Sequence, residues 1–288
     1  AKCEKTGKYY ATAGFTFVGM VEVRGFEQAR RMNMNVQVTA EDIARARAWE
    51  AAQVQVATLA KEHKMTAPRL EKAPAIDGKI DNDEWSQATS ILDGKLSFRI
   101  GYDNDKLYLC YTTEDLGVIG NTGEDFRASY TSGSAFDFFL GTDPGASADR
   151  REPAIGDLRL LITFVEDQPR VVLYQARVGN AKPEERWYIY SPAAGELAMD
   201  RVVVVEDASV AKTVDGNRAT VEVAIPLKSI GLKIQKDMKL KMDWGMLVST
   251  DGRAVQRRVY WANQSATGTG DVVAEGRFMP HAWGQIEF

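Results

Sequence analysis

The chain has 288 residues, 44% of them hydrophobic and 26% charged, with a formal net charge of −4. This is enough apolar material for one large core or two smaller ones, and it excludes a disordered chain. Lys and Arg are scattered rather than clustered, which argues against nucleic acid as a partner, and no apolar run approaches the ~20 residues of a membrane-spanning helix.

The first residues, Ala-Lys-Cys-Glu-Lys-Thr-Gly, carry no initiator Met and do not read as a signal peptide. The expectation is a chain that begins after processing, or a piece of a longer polypeptide. Residues 8–25 read as two short strands joined by a Gly-bearing turn. A lone hairpin is marginal in water, so residues 1–38 are expected to lean on the later domain, on another chain, or on a body that once preceded them. Thr39-Ala40-Glu41-Asp42 has the spacing of a capping box and opens an Ala-rich, charge-rich helix from about Glu41 to Lys64. Trp49, Ala52, Val56 and Leu59 fall along one stripe of it, and Pro68 is its expected stop. Residues 39–74 thus read as a connector helix followed by an extended linker.

From Ala75 onward the composition changes to short β-rich runs punctuated by Asp77-Gly78, Asp93-Gly94, Asp215-Gly216 and Asp251-Gly252, each suited to a positive φ. Strands are predicted over Leu96–Tyr102, Lys106–Thr113, Ala135–Gly141, Leu158–Glu166, Arg170–Arg177, Val202–Ala208, Arg218–Pro226, Lys239–Ser249 and Val255–Trp261. The first two are joined by Asp103-Asn104-Asp105-Lys106, a run that turns the chain because Asp and Asn bond back to their own backbone. In the second of them both faces are largely apolar, which places it inside a two-layer sandwich rather than at an edge. Many short strands and almost no helix predict a mainly β protein whose residues 75–288 form an antiparallel sandwich, with the N-terminal hairpin and long connector helix ahead of it. Of the two cysteines, Cys3 lies in a polar terminus and Cys110 inside an apolar strand. A disulfide between them and a buried filler role for Cys110 are both open.

Residues Ile76-Asp77-Gly78-Lys79-Ile80-Asp81-Asn82-Asp83-Glu84-Trp85, Tyr102 to Asp115, Ser134-Ala135-Phe136-Asp137-Phe138-Phe139, Val221 to Leu227 and the ending Ala282-Trp283-Gly284-Gln285-Ile286-Glu287-Phe288 follow one another in a familiar order. Together they resemble the family 9 carbohydrate-binding modules and their DOMON relatives. That resemblance implies a jelly-roll-like β-sandwich, a sugar or glycan as ligand, calcium as a common ion, and a setting outside the cytoplasm, extracellular or periplasmic. Asp137 resembles the strand carboxylate that reads sugar hydroxyls, although the better-known binders carry Glu. Phe126 or Tyr130 lies where a first aromatic clamp comes. The second clamp, a Trp expected after Trp261, is absent; the stretch Asn263 to Asp271 fills its place, with Asn263 as the candidate ligand contact there. Asp115 and Asp251 lie in the family's cation-rich rim. The Tyr9-Tyr10-Ala11 run leading to Met20-Val21-Glu22-Val23 resembles the closing strands of a β-propeller blade, with an ordinary hairpin as the alternative.

Other candidates read from the residues are few. Trp187 with Tyr188 and Tyr190 offers an aromatic platform for a sugar, though alternation puts one side of that strand in a core. The carboxylates before Trp85 could gather a cation, or be solvated turns beneath a core Trp. Asp137 with Glu124 or Asp125 could form an acid and base pair, but His63 and His281 suggest no triad or metal cluster, and catalysis is not expected. Met242, Met246 and Met279 with Lys241 or His281 could ligate haem b, or simply pack. Three functions follow: a non-catalytic sugar-binding module of a larger exported protein, a structural or assembly sandwich that has lost its sugar site, and a haem-bearing electron-transfer domain.

Overall fold

The structure is a computed structural model describing residues 7–11, 34–38, 40–80, 83–85 and 87–288. Strands β1 (Gly7–Ala11) and β2 (Met34–Val38) pair with each other, so the partner of the first predicted strand lies later than expected. Residues 12–33, and with them most of the propeller-like run, lie outside the described residues, as do Cys3 and Thr39 of the capping box.

Helix α1 (Ala40–Ala60) follows. It stops one turn earlier than Lys64, because residues 64–66 are drawn into a sheet. The predicted stripe does not bury. Trp49 is 59% exposed and Leu59 47%, while Ala60 is fully buried against the sandwich. Ala, Arg, Glu and Gln dominate the helix, so it has little apolar area to hide and touches the sandwich chiefly by its C-terminal end. There Gln53 Oε1 lies 2.9 Å from His281 Nε2.

The rest is a sandwich of two sheets. Strands β3 (Lys64–Thr66), β4 (Thr89–Ile91), β5 (Leu96–Tyr102), β6 (Lys106–Glu114), β7 (Ala135–Gly141), β8 (Asp157–Val165) and β9 (Gln168–Gln175) come first. They are followed by β10 (Trp187–Ser191), β11 (Gly195–Met199), β12 (Arg201–Val204), β13 (Ser209–Asp215), β14 (Arg218–Pro226), β15 (Lys239–Val248), β16 (Arg257–Tyr260), the short helix α2 (Val272–Gly276) and β17 (Gly284–Glu287). One sheet has the order β13-β14-β6-β5-β4 and the other β12-β9-β8-β7-β15-β17-β3, with β16 also paired to β15. Every pairing is antiparallel except that of β3 with β17. The eight-stranded sheet therefore recruits residues 64–66 from the expected linker.

Alternation sets the core. Phe98, Leu109, Tyr111 and Val223 of one sheet meet Phe138, Leu160, Trp244 and Met246 of the other, all essentially buried. Phe98 stacks on Trp244 with centroids 5.0 Å apart and planes 19° apart. β6 is internal to its sheet, as its two apolar faces predict. Its turn closes through Asp103, whose Oδ1 accepts the backbone N–H of Asp105 and Lys106 at 2.8 Å each. All four Asp-Gly glycines have positive φ, from 60° to 87°. The strands absent from the sequence reading are short, edge-lying or half-exposed, where the period-2 signal is weak.

The outer face of β6 and β14 holds a buried carboxylate, Glu222, that pins the residue 76–85 segment. It accepts the backbone N–H of Asp77 at 3.0 Å and of Gly78 at 2.7 Å, and the indole N–H of Trp85 at 2.8 Å. Trp85, Tyr108 and Cys110 pack around it. Trp85 is thus a plug, and Asp77 shapes a turn by accepting the Lys79 N–H at 2.9 Å. Cys110 is buried and free of a disulfide, and burial pushes its thiol up to about 12. Replacing Glu222 by Ala strands three buried donors and should cost about 3 kcal/mol, since each unmet donor costs ~1–3 kcal/mol less whatever water recovers. Urea unfolding of the variant checks this, and a loss under about 1 kcal/mol would show that the segment is held by packing alone.

Candidate functional site: a covered polar network on the eight-stranded sheet

The outer face of the eight-stranded sheet carries charge inside apolar strands. Alternation turns Phe136, Phe138 and Leu140 of β7 inward and leaves Asp137 and Phe139 facing out. On β8, Arg159 stands opposite Phe139 and so diagonal to Asp137. The two form a bidentate pair, Nε to Oδ1 and Nη2 to Oδ2 at 2.7 Å each, and both side chains are at most 1% exposed. Tyr260 on β16 donates its hydroxyl to Asp137 Oδ2 at 2.7 Å. The Arg159 guanidinium lies 4.7 Å from the Tyr130 ring centroid, 5.3 Å from Phe139 and 5.7 Å from Tyr174. Asp137 is therefore fully spoken for.

Gly245 makes this possible. It lies on β15 directly between Asp137 and Tyr260 in register. A Cβ there would stand 2.1 Å from the Val259 carbonyl oxygen and 2.4 Å from Tyr260 Cδ1. Only glycine lets Tyr260 lie flat across the strand and reach the carboxylate.

A cover closes over the pair. The hairpin β10–β11, the 3-10 turn Phe126–Thr131, α2 and the segment to Trp283 pack their apolar side chains onto the sheet. Tyr130 donates to the Val272 carbonyl at 2.6 Å, and Ser191 donates to Asp271 at 2.6 Å. Asp271 caps α2, and Glu275 reaches back to accept the N–H of Gly270 and Asp271. The Glu275 carbonyl accepts from both Arg159 and Arg258 at 3.2 Å.

The expected ligand residues are thus partly brought together, but not as an open site. Asp137 and Tyr130 share the buried network. Trp187, expected in an exposed platform, is only 7% exposed and packs edge-on against Tyr130 at 6.1 Å, while Tyr188 and Tyr190 face outward. Trp187 is the inward side of its strand, which corrects that expectation. Phe126 is half-buried at the edge of the cover, with Arg127 over its ring. Asn263 sits apart from these, on the wall of a cleft lined also by Asp243, Arg258, Tyr260, Arg277 and Trp283. The cleft is partly open to solvent and small, with a cavity volume of about 20 Å³. That is about what one water needs.

Asp243 is the buried charge of the cleft. It accepts the N–H of Trp244, Ala262 and Asn263 at 2.9 Å each. Burial nonetheless pushes its carboxyl up to about 7, against those three donors. Arg159, Asp243, Arg258, Tyr260 and Glu275 escaped the sequence reading. The one signal they left is a charge or phenol inside an apolar strand run, as in Leu158-Arg159-Leu160 and Met242-Asp243-Trp244.

The other candidates do not converge. Asp115 accepts from Asn217 at 2.6 Å, and Asp251 accepts from Ser249, Arg253 and Ala254, which holds its carboxyl down near 2. Each serves its own turn, and among the described residues no three His, Cys, Asp or Glu side chains gather to hold a metal. Asp125 spends both oxygens on Arg127, away from Asp137. Met242 and Met246 are packed in the inner core, Met279 lines the cleft on the opposite face, Lys241 donates to the Trp283 carbonyl, and His281 meets Gln53.

Fold and site together define a two-sheet β-sandwich with a polar and aromatic cleft on one outer face. No protein-family model matches the sequence, and no curated protein matches it. Among solved structures the chain is similar to a carbohydrate binding module family 9 from Caldicellulosiruptor kristjanssonii in complex with glucose, at 14% identity and a TM-score of 0.44, covering 78% of this chain and 95% of that one. It is similar to the same kind of module in complex with cellotriose, at 14% identity and TM-score 0.44, covering 78% and 93%.

Two outcomes test this geometry. Gly245→Ala should destabilise by about 1–3 kcal/mol through overpacking and uncouple the Tyr260 hydroxyl, read by urea unfolding. Asp243 binds its proton more tightly folded than unfolded. Its contribution to stability therefore falls as pH rises from about 4 to about 7 and is flat above. Asp243→Asn should remove that slope, so unfolding free energies measured from pH 5 to pH 8 should decline less steeply in the variant; parallel pH profiles would refute it.

Proposed function

We propose that this chain is a non-catalytic binding module for a saccharide, part of a larger exported protein, with its ligand seated at the cleft beside Asn263. The observation that carries this reading is the convergence in one place of Asn263, Arg258, Tyr260 and Asp243 with the aromatic side chains of Phe139 and Trp283. Saccharide sites combine apolar ring edges with a few fixed polar groups in this way. The solved neighbours bind glucose and cellotriose, which agrees with the reading. Because Trp283 is only 1% exposed and Phe139 6%, little aromatic face is free. With a cavity volume of about 20 Å³ the cleft admits at most one terminal group of a saccharide, and the sugar ring would lie against its rim.

A second reading is a structural sandwich that keeps the architecture without the ligand. The closed Asp137, Arg159 and Tyr260 network favours it, since the carboxylate expected to read hydroxyls already has its full set of donors. Calorimetric titration of the whole chain with mono- and oligosaccharides separates the two. Binding that weakens at least tenfold in Asn263→Ala supports the module, and no heat with any saccharide supports the structural reading. Asp137→Ala is a poor probe here, because breaking a buried pair costs about 3–5 kcal/mol and would confuse unfolding with loss of affinity.

A further inference from the structure

The hairpin that covers the eight-stranded sheet has a second face. Alternation turns Trp187 and Ile189 of β10 and Leu197 and Met199 of β11 onto the apolar cluster beneath. The outward face carries Tyr188 and Tyr190, 52% and 41% exposed, with Ala198 opposite Tyr188 and Glu196 opposite Tyr190 in register. Outward positions of a half-buried hairpin ordinarily go to polar side chains. Here two aromatic rings stand ~7 Å apart along one strand, beside a residue too small to cover them.

The hairpin that presents these rings is fastened at several points. Trp187 packs edge-on against Tyr130, and Ser191 donates to Asp271 at 2.6 Å. At the turn, Arg277 donates to the carbonyls of Ala194 and Glu196, which ties the hairpin to the cleft wall. A face fixed before binding loses little freedom on binding, and a tyrosine has only two side-chain torsions to immobilise.

The size and charge of this face limit what can lie on it. A fully buried tyrosine hides about 150–250 Å², so these two half-exposed rings offer roughly 200 Å² together, far below the ~800 Å² that each partner brings to a stable protein interface. Among the described residues of the hairpin and the rest of the cover, no other large apolar side chain is exposed. The exposed neighbours are one acid, Glu196, and one base, Arg186, which lies two positions before Tyr188. A ligand with apolar ring faces and many hydroxyls, and no charge of its own, meets both without repulsion from either.

We propose that the outer face of the β10–β11 hairpin is a second saccharide-contact surface, on which successive rings of a neutral oligosaccharide stack against Tyr188 and Tyr190. The class of ligand rests on the saccharide reading above; the place is different, and its residues are separate from Asn263 and the cleft.

The test titrates the full chain with D-glucose, cellohexaose and xylohexaose. At least one hexasaccharide should bind tenfold or more tightly than glucose. The double variant Tyr188→Ala/Tyr190→Ala should lose at least fivefold of that affinity at an unchanged melting temperature, since both side chains are exposed. Tyr188→Phe/Tyr190→Phe should keep it, because stacking uses the ring. Hexasaccharide affinity that is untouched in the alanine pair but lost in Asn263→Ala would overturn the platform and leave the cleft reading standing. A phenylalanine pair as weak as the alanine pair, or hexasaccharides no tighter than glucose, would also overturn the platform. Failure of all three sugars would overturn both.

Discussion

The bidentate pair between Asp137 and Arg159 is the interaction on which the character of this protein turns. A carboxylate and a guanidinium in the middle of a sheet, each at most 1% exposed, require every donor and acceptor near them to be placed. Tyr260 supplies one further donor, and the carbonyl of Glu275 takes a remaining guanidinium proton. Three aromatic rings surround the cation. The glycine at 245, the cap at Asp271 and the hydroxyl of Tyr130 all follow from holding that pair and covering it.

The consequence is a sheet buried on both faces. Its inner face packs against the five-stranded sheet in the ordinary manner of a sandwich. Its outer face would be a broad, open surface in a sandwich that bound a ligand there directly; here a hairpin, the 3-10 turn Phe126–Thr131, α2 and the segment to Trp283 fill it. What stays open is displaced to the edge of the cover, where Asn263, Arg258 and Arg277 lie. Function, on this account, sits where the cover ends.

The opposite face shows the same principle at smaller scale. Glu222 is again a carboxylate inside an apolar strand, and again its oxygens are saturated, by two backbone amides and an indole. In both cases a buried charge fixes a peripheral segment in one arrangement by being expensive to leave unmatched.

The sequence alone determined the sandwich. Period-2 alternation in β5, β6, β7, β8, β14 and β15, with Asp-Gly at the turns, is a local signal, and those strands lie within a residue or two of where alternation puts them. Through its family resemblance it also singled out Asp137 and Asn263, and it left Trp85 as either plug or cation loop. It could not say whether Trp187 faced a ligand or a core, because alternation gives two faces without saying what covers each. Nor could it find Arg159, Arg258 or Tyr260, since their roles exist only once β8 and β16 take their places on either side of β7 and β15. Strand order and register are set by contacts between residues tens to more than a hundred positions apart. That is why tertiary structure alone decided that the expected sugar-reading carboxylate is spent on an arginine.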